Sequence, residues 1–117
     1  MQDKRNALVI DDVPQIRSFL CEGLKFDGFD VRECGDGASA LEAAEENDYQ
    51  FIIVDYRMPR MNGVETTKRL RLRFPSAVII GMSSDDMRKG FLRAGADYFL
   101  LKPFNYADLR NLMKAAK

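Results

Sequence analysis

Three aspartates, one lysine and one serine stand out by where they fall. Asp11 and Asp12 follow a short apolar run, Asp55 ends a second, Ser83 follows a third, and Lys102 precedes Pro103 after a fourth. The 117 residues include no histidine, so the commonest general base and zinc ligand is missing. Hydrolases of the serine–histidine type and most zinc enzymes are thereby poor candidates. Any chemistry must run on carboxylates, lysine, hydroxyls and backbone. Three carboxylates converging in a partly desolvated crevice repel one another strongly, so a compensating cation is close to required. An oxygen-only donor set suits Mg²⁺, with Mn²⁺ as a substitute. Such a site suits phosphoryl transfer: an Asp55 oxygen can attack phosphorus in line. The cation and Lys102 then neutralise the equatorial oxygens, and the Ser83 hydroxyl donates to one of them.

These residues can converge only if the apolar runs are strands of one sheet. Short β-type runs at 7–11, 29–33, 51–55, 78–82 and 98–101 alternate with stretches of helical period along the whole chain. The runs around Val9, Ile53 and Ile79 are continuously apolar, as central parallel strands covered on both faces must be. Ile16, Phe19, Leu20 and Leu24, at helical spacing after Pro14, mark a first helix. Ala40, Leu41 and Ala44 mark a second, and Val64, Thr67 and Leu70 a third. Phe91, Leu92 and Ala94 mark a short fourth. A fifth, capped by Asn105, carries Leu109, Leu112 and Met113 inward. The alternation predicts an α/β fold: a flavodoxin-like (βα)5 doubly wound parallel five-stranded sheet, order 2-1-3-4-5, in three layers. Ligands of such sheets bind beyond the carboxyl ends of the strands, where the strand order reverses. Asp11, Asp12, Asp55, Ser83 and Lys102 all fall at that edge.

Composition narrows the rest. One domain over residues 1–117 is expected, because this length supports a single core. Lysine plus arginine and aspartate plus glutamate each total 18, so no net field draws the chain to nucleic acid or an anionic membrane. The apolar run after the polar N-terminus is too short for a signal peptide or a membrane span, and a cytoplasmic location is expected. Cys21 and Cys34 form no CxxC pair and read as reduced thiols in the core or at the surface.

The constellation resembles the response-regulator receiver domain, over essentially the whole length. The resemblance rests on Asp11-Asp12, on Asp55-Tyr56-Arg57-Met58-Pro59-Arg60-Met61-Asn62-Gly63, and on Ala94-Gly95-Ala96-Asp97 leading into Leu101-Lys102-Pro103-Phe104. It implies that Asp55 is the phosphoacceptor in two-component signalling. Asp11 and Asp12, with the backbone carbonyl of Arg57, would hold Mg²⁺. Ser83 matches the family's switch hydroxyl, Phe99 its switch aromatic, and Lys102-Pro103 a cis peptide bond. The implied donor is a histidine kinase or phosphotransfer protein, and the implied output is an unidentified effector protein docking on the fourth helix, fifth strand and fifth helix. A homodimer formed on phosphorylation also belongs to what the resemblance implies. The domain would be a regulator, not an enzyme, although it would catalyse its own phosphorylation and dephosphorylation.

Bland readings compete at several positions. Asp11 and Asp12 can be helix caps, but capping accounts for one of them. Asn62-Gly63 reads as turn chemistry, with the glycine supplying a positive φ. An aromatic such as Phe99 on a strand is usually core. Two features depart from the family. Ser83 and Lys102 are 19 residues apart, about three fewer than in typical relatives, close to one missing turn of the fourth helix. Arg57 and Asp85, each two residues beyond a site residue, flank the path of attacking water, and an ion pair between them is expected to shield the phosphoryl group. Among alternatives, an aspartyl-phosphate phosphatase needs a second acid where Arg57 stands. An FMN carrier needs small residues and backbone donors where Asp11-Asp12 would repel phosphate. A degenerate receiver acting as a phosphorylation-independent interaction module remains.

Overall fold

The computed structural model describes residues 5–116. Five strands alternate with five helices: β1 (Asn6–Ile10), α1 (Pro14–Phe26), β2 (Asp30–Cys34), α2 (Gly37–Glu46), β3 (Phe51–Asp55), α3 (Gly63–Arg73), β4 (Val78–Ser83), α4 (Arg88–Ala94), β5 (Tyr98–Leu101) and α5 (Tyr106–Ala115). All strand pairs are parallel, in the order β2-β1-β3-β4-β5, as the sequence pattern predicts.

Strand alternation divides the core between the two faces of this sheet. Leu8, Ile10, Ile52, Val54 and Ile79 point to one face, where Ala40, Ala43 and Ala44 of α2, Leu70 of α3 and Phe91 of α4 cover them. Val9, Ile53, Ile80 and Met82 point to the other, against Leu20 and Leu24 of α1 and Leu109 and Met113 of α5. β3, in the middle, is buried at every position, which is why its sequence shows no polar alternation before Asp55. Among the described residues no helix is long and apolar enough to cross a membrane. Cys21 and Cys34 are both free and buried, on opposite faces of the sheet.

The structure settles two open readings and corrects one expectation. Phe19 is 46% exposed; α1 turns Leu20, Cys21 and Leu24 inward instead, so the buried stripe runs one residue later than the aromatic suggests. Neither Asp11 nor Asp12 caps α1: the N-cap is Val13, with no side-chain cap, and Pro14 supplies the first turn. Gly63 does not have a positive φ; the left-handed residue of that loop is Arg60, at φ 69°. Asn62 is the N-cap of α3, its side chain accepting from the Glu65 N–H at 2.9 Å. Gly63 serves close approach, since a Cβ there would lie 2.8 Å from the Asp55 carbonyl carbon and 3.0 Å from the Tyr56 Cα.

α4 has seven residues, barely two turns. It ends in a Schellman motif on Gly95, at φ 113°, with Gly95 N–H bonded to Leu92 O and Ala96 N–H to Phe91 O. Its Phe91 ring fills the space left by the absent side chain of Gly81 on β4, and lies 5.8 Å from the Phe99 ring and 6.3 Å from that of Tyr56. Arg71 of α3 anchors the far end of this region. Its guanidinium donates to the carbonyls of Phe74, Pro75, Ala77 and Gly95 and to the Asp97 carboxylate, tying two loops together.

Candidate phosphoacceptor site

Four parallel strands, β1, β3, β4 and β5, end at the site. Asp11 continues β1, its N–H bonded to Cys34 O at 3.1 Å, and is fully buried. One carboxylate oxygen accepts the Val13 N–H at 2.9 Å; the other accepts from Lys102 Nζ at 3.3 Å. The Asp11 carbonyl accepts from the Arg17 guanidinium at 2.6 Å, a contact from α1 that nothing in the sequence signals. Asp12 is exposed beside it. Asp55, 5% exposed at the end of β3, lies 2.8 Å from Lys102 Nζ. Lys102 is aligned by its own N–H, which donates to Ser83 O at 2.8 Å, and the Lys102-Pro103 bond is cis, as the resemblance implies.

The structure thus brings Asp11, Asp12, Asp55 and Lys102 together. Asp11, Asp12 and Asp55 each offer an oxygen within 4.8 Å of the others. Oxygen donors at that spacing, with no nitrogen or sulfur among them, fit a hard divalent cation. Electrostatics agree. Burial pushes the Asp55 carboxyl above its ordinary range; the Lys102 hydrogen bond opposes this, while the charges of Asp11 and Asp12 add to it. Burial disfavours charge on Lys102 too, but the hydrogen bond to Asp55 and the field of Asp11 outweigh it and hold the ammonium above its usual value. Lys102 alone is shared by two buried carboxylates, so the site has room for more positive charge.

The remaining candidates lie around this cluster. Ser83 is buried at the end of β4, and its Oγ accepts the Asp85 N–H at 3.1 Å, leaving its own proton to donate outward. Arg57 turns its guanidinium to the Asp85 carboxylate, so the expected ion pair spans the loops after β3 and β4. A groove of about 420 Å³ beside it is lined by Asp12, Tyr56, Arg57, Met58, Pro59 and Asn62. Phe99 lies outside the polar cluster, buried against Phe91, with the Arg88 guanidinium 5.5 Å above its ring. The sequence pattern marks Gly63 as a turn residue, without signalling its contact with the site. Its N–H bonds Tyr56 O at 2.8 Å, and its bare Cα lets α3 start directly against the Asp55 backbone.

Known proteins resemble this chain in sequence and in fold. The family described as response regulator receiver domain matches residues 7–114. The transcriptional regulatory protein PrrA of Mycobacterium tuberculosis is 40% identical over 112 residues, 93% of this chain and 48% of PrrA. PdtaR of the same species is 34% identical over 108 residues, 90% of this chain and 53% of that protein. The chain therefore spans about half the length of the curated relatives it matches. Among solved structures, chemotaxis response regulator CheY4 of Vibrio cholerae superposes with TM-score 0.91 at 27% identity, covering 98% of this chain and 100% of that one. TrrA of Thermotoga maritima, solved in complex with Mg²⁺ and BeF, does so with TM-score 0.88 at 29% identity, covering 97% and 99%. With the match running from β1 into α5 and the carboxylates and lysine in place at the strand ends, this chain belongs to the response regulator receiver domains.

Proposed function

We propose that Asp55 accepts a phosphoryl group from the phosphohistidine of a histidine kinase or phosphotransfer protein, and that residues 1–117 form one receiver domain. The observation that carries this reading is Lys102 Nζ, within 3.3 Å of Asp11 and 2.8 Å of Asp55 at the edge of a three-carboxylate cluster. An Asp55 oxygen forms the new bond to phosphorus as the phosphorus–nitrogen bond breaks; the imidazole leaves with that electron pair and takes up a proton. Lys102 draws the transferring oxygens toward β5, and the Ser83 hydroxyl donates its free proton to one of them. Asp11, Asp12, Asp55 and the Arg57 carbonyl would hold Mg²⁺, or Mn²⁺ in its place, which supplies positive charge against the equatorial oxygens. Water attack on phosphorus returns the carboxylate.

The readout follows from what the new charge displaces. Recruitment of Ser83 pulls on Asp85 and on the loop entering α4. Phe99 has no polar group to satisfy outside, so its two states differ by packing against Phe91. The face of α4, β5 and α5 then docks an effector protein in the cytoplasm. No observation favours a phosphorylation-independent module. The test is incubation with acetyl phosphate and Mg²⁺ or Mn²⁺, read by intact mass. An acid-stable, alkali-labile adduct is expected, absent in Asp55→Asn and in the presence of a chelator. An adduct that survives in Asp55→Asn would overturn the assignment.

A further inference from the structure

The balanced net charge of the chain conceals a strong segregation on one face. α2, α3 and α4 lie side by side in one layer over the sheet, α3 in the middle. On α2, burial of Gly37, Ala40, Ala43 and Ala44 turns Glu42 and Glu45 outward. On α4, burial of Phe91 and Ala94 turns Lys89 and Arg93, one turn apart, outward. On α3, buried Gly63, Thr66, Thr67 and Leu70 leave Leu72 pointing straight out, 85% exposed. Beside Leu72, Glu65 and Arg69 pair at 3.2 Å, and Lys68, one turn before Leu72, is exposed. The layer thus reads acidic on α2, mixed around Leu72 on α3, and basic on α4. Glu42, Glu45, Lys89 and Arg93 have no ion-pair partner among the described residues.

We infer that this face pairs with the same face of a second copy of the chain. The charge layout selects the geometry. A two-fold axis in the plane of the layer and parallel to the helices sets α2 of one copy on α4 of the other, twice, and brings the two Leu72 side chains together. The alternative in-plane axis sets α2 on α2 and α4 on α4, opposing like charges. Only the first arrangement is self-complementary. The face is complete without a phosphoryl group, so this pairing does not depend on Asp55. Its strength comes from one apolar contact and exposed ion pairs, which makes a weak, salt-sensitive dimer.

Sedimentation velocity on the full chain tests this, with two charge-reversed variants. One carries Lys89→Glu and Arg93→Glu, the other Glu42→Lys and Glu45→Lys. Wild type and Asp55→Asn are expected to dimerise alike with rising concentration, less so at high salt. Each reversed variant alone is expected to dimerise at least about tenfold more weakly, the cumulative effect of several surface pairs. Mixed in equal amounts they are expected to form a heterodimer, because both α2–α4 contacts are then again opposite in charge. A wild type that stays monomeric to millimolar concentration would overturn the inference. So would reversed variants that dimerise as wild type does, or fail to pair when mixed. Circular dichroism of the variants separates a lost interface from a lost fold.

Discussion

Replacing Gly63 with alanine tests the contact that sets Asp55 in place. The added Cβ would sit 2.8 Å from the Asp55 carbonyl carbon, 3.0 Å from the Tyr56 Cα and closer still to the Asp55 carbonyl oxygen. These are backbone atoms, so no side chain can swing aside, and either the start of α3 or the end of β3 must shift. Overpacking of this kind costs about 1–3 kcal/mol in cores, and the rigid neighbours here put the expected loss near the upper end, about 3 kcal/mol. That is a large part of a small domain's total stability of roughly 5–15 kcal/mol. The same shift moves Asp55 relative to Lys102, so phosphorylation by acetyl phosphate is expected to slow at least about tenfold, in line with the cost of misplacing a reacting group. Gly90→Ala is the control: its Cβ would meet only side-chain ends, Val64 Cγ2 at 3.4 Å and Met87 Cε at 3.8 Å, on an α4 residue with no positive φ. It is expected to be neutral or to stabilise by up to about 1 kcal/mol through helix propensity. Urea denaturation and intact-mass time courses on both variants supply the readout. A Gly63→Ala protein within about 0.5 kcal/mol of wild type and phosphorylated at the normal rate would refute the close-approach argument.

Three other perturbations probe separate parts of the molecule. Arg57→Ala and Asp85→Ala should each speed loss of the phosphoryl group about two- to fivefold, the range an exposed ion pair can shift an opening equilibrium; unchanged rates by phosphate release would remove the shielding role. Arg71→Ala should destabilise by about 2–4 kcal/mol in urea, because several loop carbonyls and Asp97 lose a shared donor. Arg71→Lys should not restore it, since an ammonium cannot reproduce the planar fork; full rescue by lysine would contradict the geometry. Asp27 accepts a two-pronged hydrogen bond from Arg110 and one from Tyr106. These hold its carboxyl below the usual range. Its contribution is therefore present above the unfolded carboxyl value of about 3.9 and disappears as pH falls through the lower folded value. The stability gap between wild type and Asp27→Asn should be constant from pH 7 to 5 and close in more acid solution; a gap that widens there would reverse the sign.

Much of this was readable in advance because the informative residues sit at the ends of apolar runs. The run 51–55 can only be a strand buried on both faces, and once five such runs share one sheet, Asp11, Asp55, Ser83 and Lys102 must meet at one edge. The Arg57 and Asp85 pair followed from their equal offsets beyond β3 and β4. What sequence concealed is of another kind. Asn62-Gly63 looks like a dipeptide chosen for backbone freedom, but a dipeptide carries no sign of the carbonyl that crowds Gly63 from eight residues earlier. Phe19 is apolar yet exposed, because helical phase alone does not say where the buried stripe is centred. Arg71 has the same letter as its paired neighbours Arg69 and Arg73, and only the fold shows which of the three is surrounded by carbonyls. Net charge misled in a further way: a sum of zero is silent about acids gathered on α2 and bases on α4.

The ring of Phe91, seated in the gap at Gly81, has a mechanical consequence. A helix of seven residues has little length along which to bend, and its main grip on the sheet is that one ring. The ring therefore acts as a fulcrum, with the Phe99 ring tilted against it, 5.8 Å between centroids. A push from Phe99 would tilt α4 as a rigid lever, with the displacement growing toward the helix ends, at Arg88 and Ala94. A small rotation of one aromatic side chain would be converted into a larger swing of the surface.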